Sequence, residues 1–391
     1  MAFGDNGLIK QAQLAKDMAE NSTMSEQEDM DNLSKEYANL IAEEEEGSLP
    51  DTRSEIEIAR DEGTVFDKET TLTDKNENEV VIPDGFKIAE DSGGTVQEGI
   101  VIEDVSASTD TNVQGSQYVW IPVGNFIKDD GNAVNIVLGR YTFDQTDGTP
   151  TLEQDSANYT ESVDLDFEND KYYELTEYRE GEVGRNENEG ENATAYNLAG
   201  FINSANTKGG YYIGRYEASY ASGAKDETTI EDYTQCKAAS KISKYYSSSS
   251  MSYVPGTLWE TSQINASKVA INTYTGVNIN SDLINSYAWD TAIVYIQEAG
   301  NDNYANTNIT GDVTNTGSSS DEVCKINDMA SNLNEWSTEY SDRTMGMVPM
   351  YYRYPCVYRG GGNIRPDSCA AYRYGMDSTV EYMGFRILIY M

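Results

Sequence analysis

The chain has 391 residues, with 27 Lys and Arg against 67 Asp and Glu, and a formal net charge of −40. This charge argues against nucleic acid and anionic membrane surfaces as partners, because both need clusters of basic side chains. The sequence contains no His, which excludes Ser-His, Cys-His and His-metal chemistry. The four Cys form no CxxC or zinc spacing, and no run of 18 apolar residues exists that could span a membrane.

Residues 7–46 carry apolar side chains at helical spacing and are predicted to form an acidic helix, interrupted near residues 21–23. Residues 47–77 are polar and charged with little periodicity, and we interpret them as an acidic linker.

Short strand patterns begin at Val80 and recur at 86–88, 99–102, 118–123 and 209–216. Residues 283–295 have the spacing of a helix of about four turns. Two acidic or polar insertions, about 125–208 and 299–322, separate these elements. We therefore predict one large domain over residues 78–391.

The final segment, residues 351–391, differs in composition from the rest. It has five Arg against three carboxylates, a net charge of +2, so the first 350 residues carry −42. It also holds eight of the 29 Tyr. Tyr offers a large contact area at low entropic cost and a hydroxyl for polar recognition, which is the chemistry of antibody paratopes. This composition favours a binding face, although Tyr is also a common strand residue.

Six short motifs occur in a fixed order along the chain. They are residues 118–124, 210–217, 289–290, 328–336, 359–361 and 384–386. In this order they resemble the signature of the sulfatase-modifying, formylglycine-generating-enzyme-like superfamily, a branch of the C-type lectin fold. The resemblance implies an α+β protein with a C-type lectin fold over roughly residues 118–391.

The C-terminal segment also resembles the variable region of proteins diversified by retroelements. In that family, scattered residues alternate with a fixed scaffold, which here would include 359–361, 369–371, Arg373 and 384–386. The resemblance implies that the scattered residues form a variable ligand-binding face. They are Tyr351, Tyr352, Arg353, Tyr354, Tyr358, Asn363, Ile364, Arg365, Asp367, Ser368, Tyr372, Tyr374, Met376, Asp377, Val380, Glu381 and Tyr382. Met376 and Glu381 fit this pattern least well.

Residues 3–12 resemble the segment that follows the membrane-spanning half of type IV pilin-like helices in Gram-positive bacteria. The resemblance implies that residues 1–46 are a pilin-like N-terminal α-helix whose apolar half lies upstream. It further implies an extracellular protein on a cell surface or pilus, with other pilin subunits as partners. Its ligand would be a protein or glycan on another cell or a phage.

Several residues have a structural interpretation as well as a functional one. Trp120, Trp289 and Trp336 are predicted core residues, and Gly360-Gly361 a backbone requirement. Asn332, Asn334 and Glu335 are assigned to structural hydrogen bonds, with calcium as the alternative, because few oxygen ligands are grouped there. No other cofactor is expected.

Cys356 and Cys369 lie 13 residues apart, and a disulfide between them would suit an exported protein, with two buried thiols as the alternative. The segment after the glycines holds one Cys rather than the pair used by the enzymes of the superfamily. We therefore expect a diversified, non-enzymatic, adhesin-like binding protein. A divergent formylglycine-generating-like enzyme and a structural pilus or phage-tail subunit are the alternatives.

Overall fold

In the computed structural model, β-strands make up most of the secondary structure. The structure describes residues 51–105, 114–158, 165–167, 170–174, 197–220, 236–237, 263–274, 278–311, 316–317, 320–341, 344–345, 352–353, 356–362, 367–376 and 383–391. Residues 54–391 belong to one folded unit, and the described residues 51–53 belong to a separate unit.

Four α-helices are found in these ranges. They are α1 Glu55–Glu62, α2 Leu198–Lys208, α3 Gln263–Thr273 and α4 Ser286–Glu298. Short 3-10 helices occur at Ser156–Asn158 and Tyr304–Asn306. None of the described helices is long and apolar enough to cross a membrane.

The strands are short, most of them two to six residues long. They are β1 Thr70–Thr73, β2 Glu79–Ile82, β3 Phe86–Ile88, β4 Val101–Asp104, β5 Gln117–Pro122, β6 Gly124–Ile127, β7 Ala133–Ile136, β8 Gly139–Phe143, β9 Pro150–Asp155, β10 Leu165–Phe167, β11 Asp170–Glu174, β12 Gly210–Gly214, β13 Ser219–Tyr220, β14 Cys236–Lys237, β15 Asn280–Leu283, β16 Glu322–Val323, β17 Ile326–Asn327, β18 Asn334–Ser341, β19 Thr344–Met345, β20 Tyr352–Arg353, β21 Cys356–Arg359, β22 Arg373–Met376, β23 Met383–Phe385 and β24 Ile387–Tyr390.

Two six-stranded sheets organise the domain. The first, which we call the core sheet, has the order β15-β24-β12-β5-β4-β3 and is antiparallel throughout. The second, the C-terminal sheet, has the order β10-β11-β18-β21-β22, with β23 parallel to β18. The chain passes from β23 in the C-terminal sheet to β24 in the core sheet through Arg386, a single residue between the two strands.

The expected fold class is wrong. Instead of an α+β C-type lectin fold behind a pilin-like helix, the described residues form a mostly β protein built from several antiparallel sheets, six of them two-stranded. Short apolar runs separated by Gly, Asn and Asp turns close into local hairpins, so the segments interpreted as insertions supply strands such as β6–β9. No N-terminal pilin helix is evident, and residues 1–46 themselves lie outside the described residues.

Over residues 54–77, where the sequence predicted an acidic linker, the structure has the helix α1 and the strand β1. Ser54 and Glu57 form a capping box at the start of α1, and Gly63 ends the helix with a φ of 63°. Farther on, β1 pairs with β2. Ile56 and Ala59 are the only two residues of α1 that are buried, so the sequence of this charged helix shows little apolar periodicity.

Other predictions from the sequence are confirmed. The strand patterns predicted at 80–82, 86–88, 99–102, 118–123 and 209–216 correspond to β2, β3, β4, β5 and β12, with bounds that differ by at most two residues. The predicted helix at 283–295 is α4, capped by the Asn285 side chain and buried from Ser286 to Ile296. Because α4 is buried on every side, apolar residues occur all around the helix rather than on one face. Trp120, Trp289 and Trp336 are fully buried in the core.

Candidate functional site

The predicted binding segment contributes three strands to the C-terminal sheet: β21 and β22 are neighbours, and β23 pairs with β18. β21 pairs with β18 on one side and β22 on the other, so that Trp336 lies opposite Tyr358 and Tyr358 opposite Tyr374. Because side chains alternate across a strand, these three aromatic residues share one face of the sheet. Arg359 and Arg373 are also directly opposite each other, on the other face.

The aromatic face carries a cluster of three tyrosines, which we call the tyrosine cluster: Tyr358, Tyr372 and Tyr374. The rings of Tyr372 and Tyr374 are stacked, with centroids 5.9 Å apart and an interplanar angle of 12°. Tyr358 lies 6.0 Å and 5.7 Å from them, and Trp336 packs edge-on against Tyr358. Trp336 and Tyr358 are buried, whereas Tyr372 and Tyr374 are half-buried. The cluster therefore runs from the protein interior to the surface.

The opposite face carries a buried ion-pair network of five residues: Arg140 from β8, Asp290 from α4, Glu339 from β18, Arg359 from β21 and Arg373 from β22. Each of these side chains is at most 6% exposed. One helix and four strands therefore meet in this network.

Two carboxylates connect three guanidinium groups in this network. Glu339 Oε1 is 2.5 Å from Arg140 Nη2 and 2.8 Å from Arg373 Nε. Asp290 accepts hydrogen bonds from Arg359 and, at 2.8 Å, from Arg373 Nη2. Burial by itself would raise the pKa of Glu339, but the charges of Arg373, Arg140 and Arg359 lower it to about 2. Glu339 is therefore ionised at neutral pH.

Glu174 borders the network and is also fully buried. It accepts hydrogen bonds from the backbone N–H of Ser286, at 2.9 Å, and from the hydroxyls of Ser286 and Thr338. Burial, followed by the charge of Glu339, raises its pKa. Its contacts join β11 to the start of α4 and to β18.

The structure places the predicted ligand-binding residues in different environments. Asp367 is exposed, Tyr372 and Tyr374 are half-buried, and Tyr358 and Ser368 are buried. Only the backbone is described for Tyr352, Arg353 and Met376. The remaining positions lie outside the described residues: Tyr351, Tyr354, Asn363, Ile364, Arg365, Asp377, Val380, Glu381 and Tyr382. Tyr358, Tyr372 and Tyr374 are thus in contact with one another, whereas Tyr358 and Ser368 are buried and do not reach the surface.

Three Arg side chains of the C-terminal segment form ion pairs inside the protein. Arg359 and Arg373 belong to the ion-pair network, and Arg386 pairs with Glu335 at 2.6 Å with neither side chain exposed. The other charged side chains of the segment are two Arg, residues 353 and 365, against three carboxylates, a net charge of −1. The excess of Arg in the composition of the segment is therefore accounted for by side chains that are paired inside the protein.

Cys356 and Cys369 are both thiols in the structure. The register places Cys356 opposite Met376, three residues along β21 from the Arg359–Arg373 pair. Cys369 lies beyond the other end of the strand pair, where its carbonyl accepts a hydrogen bond from the N–H of Tyr372. Three residues of strand span about 10 Å, which exceeds the ~7 Å that a disulfide allows between Cα atoms. The proposed disulfide does not fit this arrangement.

The glycine motif is a backbone requirement, as predicted. Gly360 has a φ of 81°, and a Cβ at Gly361 would lie 2.2 Å from the carbonyl oxygen of Ala330. The Asn334 side chain donates a hydrogen bond to the carbonyl of Gly360 at 2.7 Å. These contacts fix the turn that leads out of β21.

A second buried group, which we call the carboxylate cluster, lies where the chain passes between the two large sheets. It comprises Glu217, Asp321, Asp328 and Glu335 around Arg386, all at most 1% exposed. Burial, then the charges of Asp328 and Glu335, raises the pKa of Glu217 well above its usual value. Burial also raises the pKa of Asp321 and, against the attraction of Arg386, that of Glu335.

All three side chains considered for calcium make hydrogen bonds, Asn334 through its Nδ2 to the carbonyl of Gly360, while Asn334 Oδ1 is buried with no hydrogen-bond partner. Asn332 Nδ2 donates to Glu217 at 2.6 Å, while Glu335 accepts from Arg386 at 2.6 and 3.2 Å. Within the described ranges, no group of three or more Cys, Asp or Glu side chains is arranged to hold a metal ion. These contacts agree with the structural assignment of Asn332 and Glu335.

Sequence reasoning missed Arg140 and Glu339 as partners of the C-terminal segment. Asp290 did carry a signal, because it is a charged residue within an apolar helix and part of a quoted motif. Arg140 and Glu339 gave no such signal, since only the folded chain brings β8 and β18 together.

Comparisons with protein-family models, with curated proteins and with solved structures each found no match.

Proposed function

We propose that this protein is a non-enzymatic binding protein whose C-terminal segment, residues 351–391, forms a recognition face that a retroelement diversifies. The observation that carries the proposal is the half-buried Tyr372–Tyr374 pair, stacked on a sheet whose other face is held by the ion-pair network. Tyrosine rings of this kind provide contact area and hydroxyl groups together.

Rigidity beneath the face supports this proposal. Arg359 and Arg373 are anchored to Asp290 of α4 and Glu339 of β18, so β21 and β22 are positioned before any ligand arrives. A preordered face loses less conformational entropy on binding. Side chains on its outer side can then change without loss of the supporting sheet.

We further propose that the protein is displayed outside the cell, on the cell surface or a pilus. Other pilin subunits would be its partners there. The charge of −40 supports display, because it keeps neighbouring copies apart. The ligand would be a protein or glycan on another cell or a phage.

Sequencing the 3′ end of the gene in a natural population tests the proposal. We expect variation to concentrate at positions such as 367, 372 and 374 and at adenines of a nearby template copy. Arg359 and Arg373 should stay constant, because replacing either one would remove a counter-charge from the buried carboxylates of Asp290 and Glu339. If the segment varies no more than residues 80–340, the diversified-binder proposal fails.

A further inference from the structure

The charges around the tyrosine cluster indicate which ligands it favours. Arg359, Arg373 and Arg386 are all buried in internal ion pairs. Among the described side chains of residues 351–391, Asp367 is the exposed charged residue. The segment without those three Arg has a net charge of −1, on a molecule of −40. A ligand that approaches this face therefore meets the negative potential of the molecule as a whole.

Aromatic rings in such a field attract cations. The negative face of a Tyr ring binds Lys ammonium and Arg guanidinium groups. The protein already uses such contacts internally: Arg359 Cζ lies 5.7 Å from the Trp289 ring centroid, and Arg373 Cζ lies 6.0 Å from that of Tyr172. Tyr372 and Tyr374 offer the same ring chemistry at the surface.

We infer that the face formed by Tyr372 and Tyr374 binds a polypeptide through Lys or Arg side chains. This inference rests on the proposed function and specifies its ligand. Charge complementarity argues for this ligand over the alternatives, because the acidic body repels anionic polymers and gives neutral saccharides no electrostatic advantage. The net negative charge of the protein accelerates the encounter with a cationic polypeptide, and the two tyrosines provide the specific contact.

The test uses the full chain and short synthetic peptides of equal length that are lysine-rich, neutral or glutamate-rich, with a neutral oligosaccharide as a fourth probe. Affinities are measured at physiological and at high salt. We expect the lysine-rich peptide to bind best and to weaken as salt rises. The double variant Tyr372→Ser, Tyr374→Ser should bind that peptide about tenfold more weakly.

Matched variants separate the tyrosines from the charge of the body. The pair Tyr372→Phe, Tyr374→Phe keeps both rings and should retain binding. Thermal unfolding of each variant verifies that it is folded. If the Ser variant binds the lysine-rich peptide as well as the parent does, the contact is with the acidic body, and the inference is overturned.

The remaining outcomes distinguish the inference from the proposed function. Tyrosine-dependent binding of the neutral peptide, the acidic peptide or the oligosaccharide in preference to the lysine-rich peptide overturns the cationic ligand but leaves a recognition face. Binding of none of the four probes also overturns the inference. The proposed function is decided independently by the distribution of natural variation.

Discussion

Tyr358 and Tyr374 face each other across two strands but have different roles. Tyr358 is 1% exposed and packs between Trp336 and the two outer tyrosines, whereas Tyr374 is half-buried. The buried ring supports the face, and the outer ring is available to a ligand. Burial therefore separates two residues that the sequence placed in one class.

This difference predicts different effects on stability. Tyr358→Ala should lower the free energy of unfolding by about 3 kcal/mol, because it leaves a cavity beneath the sheet. Tyr374→Ala, the matched control, should cost about 1 kcal/mol or less. Urea unfolding of both variants measures the difference. Equal losses would show that Tyr358 does not support the face.

Glu339 is the other residue on which the face depends, because it joins three Arg side chains. Glu339→Gln should destabilise the protein by about 3 kcal/mol, since it removes the negative charge that three buried guanidinium groups share. Glu69→Gln is the control: its ion pair with Lys208, at 2.6 Å, is 45% exposed on the Glu side and should contribute less than about 1 kcal/mol. Chemical unfolding compares the two, and similar losses would contradict a structural role for the network.

Among the secondary-structure elements, the turn after β21 is packed so closely against residue 330 that position 361 has no room for a side chain. A side chain at Gly361 would collide with the carbonyl of Ala330, which is backbone and cannot rotate away. Close contact with residues 329–330 holds the end of β21, and with it Arg359, in register.

Gly361→Ala should therefore destabilise the protein by about 3 kcal/mol or prevent folding. Gly311→Ala provides the control, because its Cβ would meet nothing within 4 Å. That change should be neutral or slightly stabilising, since Ala has fewer unfolded conformations. Thermal unfolding of both variants is the measurement. A stable Gly361→Ala protein would mean that the turn can move away from residue 330.

For the molecule as a whole, the carboxylate cluster links stability to pH. The folded protein raises the pKa of Glu217 above the ordinary value of 4.5, so the folded state binds its proton more tightly than the unfolded chain. The stability from Glu217 is fully present below that ordinary value and is lost as pH rises towards the raised pKa.

Unfolding temperatures measured from about pH 5 upward should therefore fall as pH rises. Glu217→Gln should reduce this slope, because the amide does not titrate. The exposed Glu62→Gln change should leave the slope unaltered. A slope that is the same in the Glu217→Gln variant would show that another group dominates above pH 5. Below the ordinary pKa of Glu339 the sign reverses, because its lowered pKa of about 2 makes stability fall as pH decreases.

Local patterns predicted several elements well. The apolar runs of β2, β3, β5 and β12 and the capped apolar helix α4 follow from residue periodicity, which depends only on neighbours in the chain. The fold class failed for a related reason. Hairpins such as β8–β9 contain polar residues at exposed positions, so their sequences resemble loops.

The sequence by itself determined the charge of −40, the absence of histidine chemistry, the buried tryptophans, the glycine turn and the distinct composition of residues 351–391. Only the tertiary structure decided that three of the five Arg in this segment are internal, that Cys356 and Cys369 lie at opposite ends of a strand pair, and that Tyr358 is buried. The physical reason is that charge and chemical type belong to a residue, whereas pairing and burial depend on strands such as β8 and β18 that are distant in the chain.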